Sequence, residues 1–366
     1  MKISQPHPMP PPSTSALAVN GGTPEISNSP SVNPHPRWGE EEKELLIKML
    51  EQPSLFYWKG PQTQLLTERF QKHYPFDYVM PCSSGTAAIH IAVTALNLKP
   101  GDEIIVPPIT DMGTVIGALY EQAVPVFADL GAHTYNLDPA DVRKKITPKT
   151  RAIIAVHLTG NPCPITKLRA IADEHNITLI EDCAQAWGAK YDGKPVGSFG
   201  DIACYSLNDF KHIGCGDGGI VATSDAKLGE ILQKCGDKAY DRVKGTKTPA
   251  FLAPNYRISE PQSAVAAAQM DRMVGITERR NELGMSLSAQ LAELPAMDIP
   301  EIDEKAFSSF WFYLLRIREE ELTCDREEFV KALQAEGVIA VAGYTPMPLY
   351  QYDVFKNHNF FGGQWP

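Results

Sequence analysis

No run in this chain reaches the roughly 20 consecutive apolar residues that a membrane-crossing helix requires. Its opening residues, MKISQPHPMPPPSTSALAVNGG, hold no continuous apolar core of the kind a secretory leader needs. Basic residues are in deficit, 34 Lys and Arg against 44 Asp and Glu, giving a formal net charge of −10. That argues against the broad basic face on which nucleic-acid binding depends. Cysteines are scattered and odd in number, seven with no C-x-x-C, which fits free thiols in a reducing compartment better than a disulfide framework or a zinc knuckle. No internal repeat is evident. These absences point to a cytoplasmic globular protein with no metal site and neither membrane nor nucleic acid as partner.

What is present is apolar residues, 43% of 366, enough for a large core and about two or three domains. Residues 1–37 are rich in Pro, Ser and Asn and read as a segment that is largely extended or mobile. From Trp38 the texture changes. WGEEEKELLIKMLEQ places acids early and apolar residues at helical spacing, and GPQTQLLTERFQKHY opens a second helix with Pro61 at its first turn.

An alternation follows. SSGTAAIHIAVTAL reads as a helix with Ile89, Ala92, Val93 and Leu96 on one face. DEIIVPP, AVPVFADL, RAIIAVHL and ITLIEDCA are short apolar runs typical of strands buried on both faces, and PITKLRAIADEHN between the last two is helical. Strands alternating with helices predict a mostly parallel α/β sheet. DIACYSL and GIVATSD add two strands. One long helix is expected from about 259, with Ser259 as its N-cap. Beyond it, FWFYLLRI as a strand and REEFVKALQAEG as a helix suggest a smaller α+β domain. The expected division is 1–37, 38–258 and 259–366.

Between the two added strands lies SLNDFKHIGCGDGG, which matches G-x-G-x-x-G through Gly214, Gly216 and Gly219. A dinucleotide fingerprint needs a helix after its glycines, and here a β-branched, strand-like run follows, so the nicotinamide reading fails on context. A better anion site is CSSGTAA, where Ser84, Gly85 and Thr86 open a helix and its N–H groups converge. Ser84 could instead be a simple cap. Asp182, at the end of an apolar strand, could serve a metal, a ribose or a cofactor nitrogen. Lys211 alone could be an ordinary surface lysine. Together, a phosphate cradle, a strand-end carboxylate and a lysine after a later strand are the three contacts that pyridoxal 5′-phosphate requires.

The stretches SSGTAA, PGDEIIVPPIT, PVFADL, VHLTGNP, IEDCAQAWGA, GSFGDIACYSLNDFKHIGCGDGG and NYRISEPQSAVAAAQMDRM, in that order, resemble the DegT/DnrJ/StrS-type aminotransferases of fold type I, which aminate keto sugars and keto cyclitols. The resemblance implies a large domain with a mostly parallel seven-stranded sheet, a smaller C-terminal α+β domain, and pyridoxal 5′-phosphate as cofactor. It implies Lys211 as the Schiff-base lysine, Asp182 on the pyridine nitrogen and Gln185 on the phenolic oxygen of the ring. Ser206 would bind the phosphate with the amides of Gly85 and Thr86. Asn255 resembles the residue sent to that phosphate from a partner subunit, which implies a homodimer with shared sites. His157 and Tyr344 match positions near the substrate cavity.

Three features depart from the pattern. Asp111 stands where an aromatic residue commonly stacks on the ring, leaving Met112 or a residue elsewhere to cover it. The chain stops at NFFGGQWP, before an expected closing helix, which suggests an incomplete C-terminal domain. Some relatives are dehydratases with histidine in place of the lysine; here Lys211 is present and His212 is its neighbour. The implied activity is transfer of an amino group from glutamate or glutamine to a keto-sugar or keto-cyclitol, and LAVNGGTP and VHLTGNPC resemble the aminocyclitol branch. A sugar dehydratase and a non-catalytic regulatory homologue are the alternatives.

Overall fold

The computed structural model describes residues 16–26 and 37–364. Of the N-terminal segment read above, positions 1–15 and 27–36 lie outside the described residues, as do 365 and 366.

Helix α1 (Glu40–Leu50) carries Glu40, Glu41 and Glu42 in its first turn, where the exposed N–H groups favour negative charge. Helix α2 (Pro61–Gln71) begins with proline at a position that needs no N–H donor. Its next two free donors, the N–H groups of Gln62 and Thr63, go to the buried Glu260 carboxylate at 2.9 Å each. A distant acid thus supplies the cap that the local sequence lacks.

The alternation then builds β1 (Tyr78–Cys82), α3 (Gly85–Ala95), β2 (Glu103–Val106), α4 (Gly113–Tyr120), β3 (Val124–Phe127), α5 (Pro139–Lys145), β4 (Thr150–Val156), α6 (Ile165–His175) and β5 (Thr178–Asp182). A short hairpin of β6 (Lys190–Tyr191) and β7 (Lys194–Pro195) precedes β8 (Ile202–Ser206) and β9 (Gly219–Thr223). The central sheet runs β1-β9-β8-β5-β4-β2-β3. Pairing is parallel from β8 across to β3, and β9 is antiparallel to both neighbours. A loop rather than a helical crossover joins β8 to β9, which is what an antiparallel neighbour permits. The sheet is therefore mostly parallel, as the continuous apolar runs predict. Pro81 falls on edge strand β1, where a missing donor is tolerated.

After α7 (Ala226–Cys235), α8 (Glu260–Met270) and α9 (Met273–Leu291) occupy the span read as a single helix. Ser259 caps α8 as expected, in a capping box with Gln262. The helix divides at Asp271 and Arg272 because both are held from outside: Asp271 pairs with Arg69 of α2 at 2.8 Å and Arg272 with Glu42 of α1. The alanines of α8 share one core with Phe70, Trp187 and Tyr205, all fully buried.

FWFYLLRI is not the strand expected. Only Arg316–Ile317 pairs, in β12, with β10 (Met297–Asp298); Ala306–Phe307 forms β11 against β6. Upstream, the N–H groups of Ser309 and Trp311 donate to Gly160 O and Thr159 O at 2.9 and 2.7 Å, and Phe310 between them takes a left-handed φ of 43°. That segment is committed to the loop after β4 rather than to a ladder. Helix α10 (Arg326–Ala335) forms as read. Residues 16–26 are tied to its end, where the Glu336 carboxylate accepts the N–H groups of Ala18 and Glu25 at 2.8 and 2.9 Å.

Candidate active site

The C-terminal ends of the parallel strands carry the polar residues singled out in the sequence, as open α/β sheets place their ligands. Asp182 closes β5 and is buried. Its Oδ2 accepts the Thr114 hydroxyl at 2.8 Å, and its Oδ1 accepts the Ala184 N–H at 3.1 Å. Burial raises the carboxyl pKa; the Thr114 and Ala184 hydrogen bonds and the Lys211 charge work against that rise. Two donors leave a carboxylate with lone pairs for a third.

At the end of β1, three strands along the sheet from β5, Ser84 caps α3 by accepting the Ala87 N–H at 3.0 Å. The first two N–H groups of the helix, at Gly85 and Thr86, have no intrahelical acceptor. Gly85 packs against Ser206 so closely that a Cβ there would lie 2.6 Å from the Ser206 Cβ. A Cβ on Gly219 would come within 2.3 Å of Ser84 O. The strand after the glycine run therefore backs the turn at Ser84, and the glycines serve close packing. Two free amides beside the Ser206 hydroxyl are donors suited to a phosphate dianion, so this turn fits a phosphorylated cofactor.

Lys211 lies on the loop from β8 to β9, with its N–H donating to Asn208 O at 2.9 Å. Its Nζ sits 3.7 Å from the centroid of the Trp311 ring. Burial lowers the Lys211 pKa, while the Asp182 and Asp111 charges raise it. The amine and the buried carboxylate thus act on one another. Beyond Asp182, the Gln185 side chain accepts the Thr159 N–H and donates to the Tyr344 hydroxyl, both at 2.8 Å. Tyr344 meets the rings of Trp311 and Phe312, with centroids 6.2 and 5.3 Å away. Lys211, Asp182, Gln185 and Tyr344 are neighbours: Gln185 is bonded to Tyr344, and the Asp182 charge is felt by both the Lys211 amine and the Tyr344 hydroxyl. Gly85, Thr86 and Ser206 border this group, since Thr86 meets Gly113 in the turn before Thr114.

Two residues have other partners. Asn255 is exposed, on a bridge to Asp237, and makes no hydrogen bond to this cluster among the described residues. His157 is fully buried. Its Nδ1 accepts the Cys163 N–H at 3.1 Å, so its Nε2 carries the proton that it donates to Glu181 at 2.9 Å. Glu181 also takes the N–H groups of Gly197, Phe199 and Gly200. The His157, Glu181 and Cys183 group is committed to hydrogen bonds of the fold. His157 is thus held by the fold, and its backbone N–H donates to Asp182 O at 3.1 Å, next to the site.

Asp111, at the expected stacking position, turns back to accept the Gly113 N–H at 2.8 Å, and Met112 packs into the core between sheet and helices. Thr114, Trp311 and Arg37 are neighbours of the site that sequence reasoning missed. Arg37 falls in a segment read as unstructured, and its guanidinium donates to the carbonyls of Asp209 and Lys211.

Residues 36–362 match the model of the DegT/DnrJ/EryC1/StrS aminotransferase family. GDP-perosamine synthase of Escherichia coli O157:H7 is 31% identical over 313 residues, 82% of this chain and 81% of its own. The UDP-N-acetyl-3-dehydro-alpha-D-glucosamine 3-aminotransferase of Acidithiobacillus ferrooxidans is 36% identical over 277 residues, 75% and 72% of the two chains. Among solved structures, DesV of S. venezuelae, in complex with a ketimine intermediate, superposes with a TM-score of 0.80 at 28% identity over 87% of this chain and 82% of its own. NtdA of Bacillus subtilis, with bound cofactor PMP, gives 0.79 at 26% over 89% and 73%. The chain belongs to the DegT/DnrJ/EryC1/StrS aminotransferases, enzymes of fold type I that depend on pyridoxal 5′-phosphate.

Proposed function

We propose that this aminotransferase moves an amino group from glutamate or glutamine to a keto-sugar or keto-cyclitol, with Lys211 and Asp182 as its catalytic pair. The observation that carries the assignment is a buried carboxylate, anchored by the Thr114 hydroxyl at 2.8 Å at the end of β5, close enough to the Lys211 amine for the two charges to act on one another. Pyridoxal phosphate supplies an electron sink at which an amino group can be exchanged between two carbonyl carbons. Asp182 would keep the ring nitrogen protonated, its negative charge being available because Thr114 and Ala184 satisfy only part of the carboxylate. Lys211 Nζ would hold the cofactor and serve as the base for the proton at the donor Cα, a task that its lowered pKa favours. The Gly85 and Thr86 amides and the Ser206 hydroxyl would hold the phosphate, and Gln185 would donate to the ring oxygen.

The acceptor class follows the relatives, whose names specify GDP- and UDP-linked sugars; a cyclitol remains the alternative suggested by LAVNGGTP and VHLTGNPC. Asn255, exposed on the protomer, would reach the phosphate of a second subunit, making the enzyme a homodimer with shared sites. No helix among the described residues is long and apolar enough to cross a membrane, and a cytoplasmic location and a division near residue 258 belong to the same reading. The dehydratase alternative is disfavoured by the lysine at 211.

Borohydride reduction of the loaded protein should fix the cofactor on Lys211, and Lys211→Ala should abolish turnover. Label on another lysine, or an active Lys211→Ala protein, sinks the assignment. Loading the pyridoxamine form and screening ketones for return of the visible band identifies the acceptor.

A further inference from the structure

Lys211 belongs to no helix or strand. Its loop is closed by backbone bonds from Leu207 N to Gly218 O, Asp209 N to Gly216 O and Cys215 N to Leu207 O, at 2.8, 2.8 and 2.9 Å. Around the lysine itself the main chain is held from outside the loop. Trp311 Nε1 donates to Phe210 O at 2.7 Å and His212 Nε2 to Ser309 O at 3.0 Å. That leaves the carbonyls of Asp209 and Lys211, to which no backbone N–H among the described residues donates. One guanidinium takes both, Nη1 on Asp209 O and Nη2 on Lys211 O.

The guanidinium is Arg37, 172 residues before Asp209. It is delivered by the residues leading into α1, where Gln269 of α8 donates to Arg37 O at 3.1 Å. Gly214 lets it approach: a Cβ there would stand 3.2 Å from Arg37 Nη2. A planar fork with several fixed donors can bridge two carbonyls two residues apart, whereas an ammonium acts as a single point.

We propose that Arg37 is a positioning residue for Lys211, fixing the direction in which the amine leaves the loop by bridging the carbonyls on either side of Phe210. The inference rests on Lys211 being the cofactor-binding lysine. Displacement of a reacting group by about 1 Å costs on the order of 100-fold in rate, and with the fork removed the hydrogen bonds that restrain residues 209–212 from outside are, among the described residues, those of Trp311 and His212.

The test compares wild type, Arg37→Ala and Arg37→Lys. Apoprotein is mixed with pyridoxal phosphate, and its capture is followed by the visible band and by induced circular dichroism, with melting of the apoprotein measured in parallel. Both variants should melt within a few degrees of wild type yet capture the cofactor about 10–100-fold more slowly, with weakened induced dichroism. In the loaded enzymes kcat should fall while KM for the amino donor holds. Capture by Arg37→Lys at the wild-type rate would show that charge suffices and overturn the proposal. So would an unchanged rate in Arg37→Ala, or a loss no larger than its unfolded fraction. Borohydride label away from Lys211 in wild type would instead overturn the lysine assignment, whatever the Arg37 variants do.

Discussion

The Lys211 ammonium stands 3.7 Å from the centroid of the Trp311 ring, and the same indole donates its N–H to Phe210 O at 2.7 Å. One side chain thus holds both the amine and the backbone beside it. The ring face favours the charged amine by about 0.5–2 kcal/mol, and the hydrogen bond contributes about 1 kcal/mol.

These two contributions can be separated. Trp311→Phe keeps a ring face and loses the donor; Trp311→Leu loses both. The first should cost the folded apoprotein about 1 kcal/mol and the second about 1.5–3 kcal/mol. Denaturant unfolding measures this. Equal losses in the two variants would show that the ring contributes nothing.

His212, next to the lysine, gives a pH signature. Burial and the nearby charges of Arg280, Lys211 and Arg37 push its pKa down to about 3, against the hydrogen bond to Ser309 O. Its Nδ1 is buried without a hydrogen-bond partner among the described residues. The unfolded chain takes up this proton near pH 6.5 and the folded one only near 3. The contribution of His212 to stability is therefore complete above the unfolded value and is lost as pH falls toward the folded one. The slope is about 1.4 kcal/mol per pH unit. His212→Gln keeps a donor for Ser309 O and does not titrate. The stability difference between wild type and variant should therefore shift toward the variant by about that slope between pH 6.5 and 5, as read by denaturant unfolding. A constant difference contradicts a neutral buried imidazole.

Most of the sheet was legible in the sequence because strands buried on both faces are unbroken apolar runs. Helix α4, GTVIGALY, was not, because a helix buried nearly all round shows no amphipathic period. The places of Asp182 at a strand end and of Lys211 after a later strand were legible because each stands beside a strongly patterned strand. Thr114, Trp311 and Arg37 were not: their partners lie 68, 101 and 172 residues away, and nothing local marks them. The tie of His157 to Glu181 was not legible for the same reason, since it is a matter of core burial.

The tie at Glu336 predicts a local rather than a global effect. Its carboxylate accepts two N–H groups from residues 16–26, a bonding that lowers its pKa. Glu336→Ala should leave the catalytic rate unchanged and speed cleavage of this segment by chymotrypsin after Leu17 and by elastase after Ala18 or Val19. Cleavage at the wild-type rate would mean that other contacts hold the segment.

Two glycines at helix positions separate packing from chemistry. A methyl on Gly275, within α9, would meet nothing within 4 Å, so Gly275→Ala should stabilise the protein by about 0.8–1 kcal/mol through helix propensity alone. Gly85 is the opposite case. Its methyl would press on the Ser206 Cβ at 2.6 Å, and neither a β-carbon nor the strand beneath it can swing away. Gly85→Ala should cost about 1–3 kcal/mol and raise the dissociation constant for pyridoxal phosphate. Adding Ser206→Gly removes the opposing atoms, so melting should recover in the double variant. Cofactor affinity should not, because the hydroxyl proposed to hold the phosphate is gone with the clash. If affinity and melting recover together, Ser206 is a packing residue only, and the phosphate site must be drawn without it.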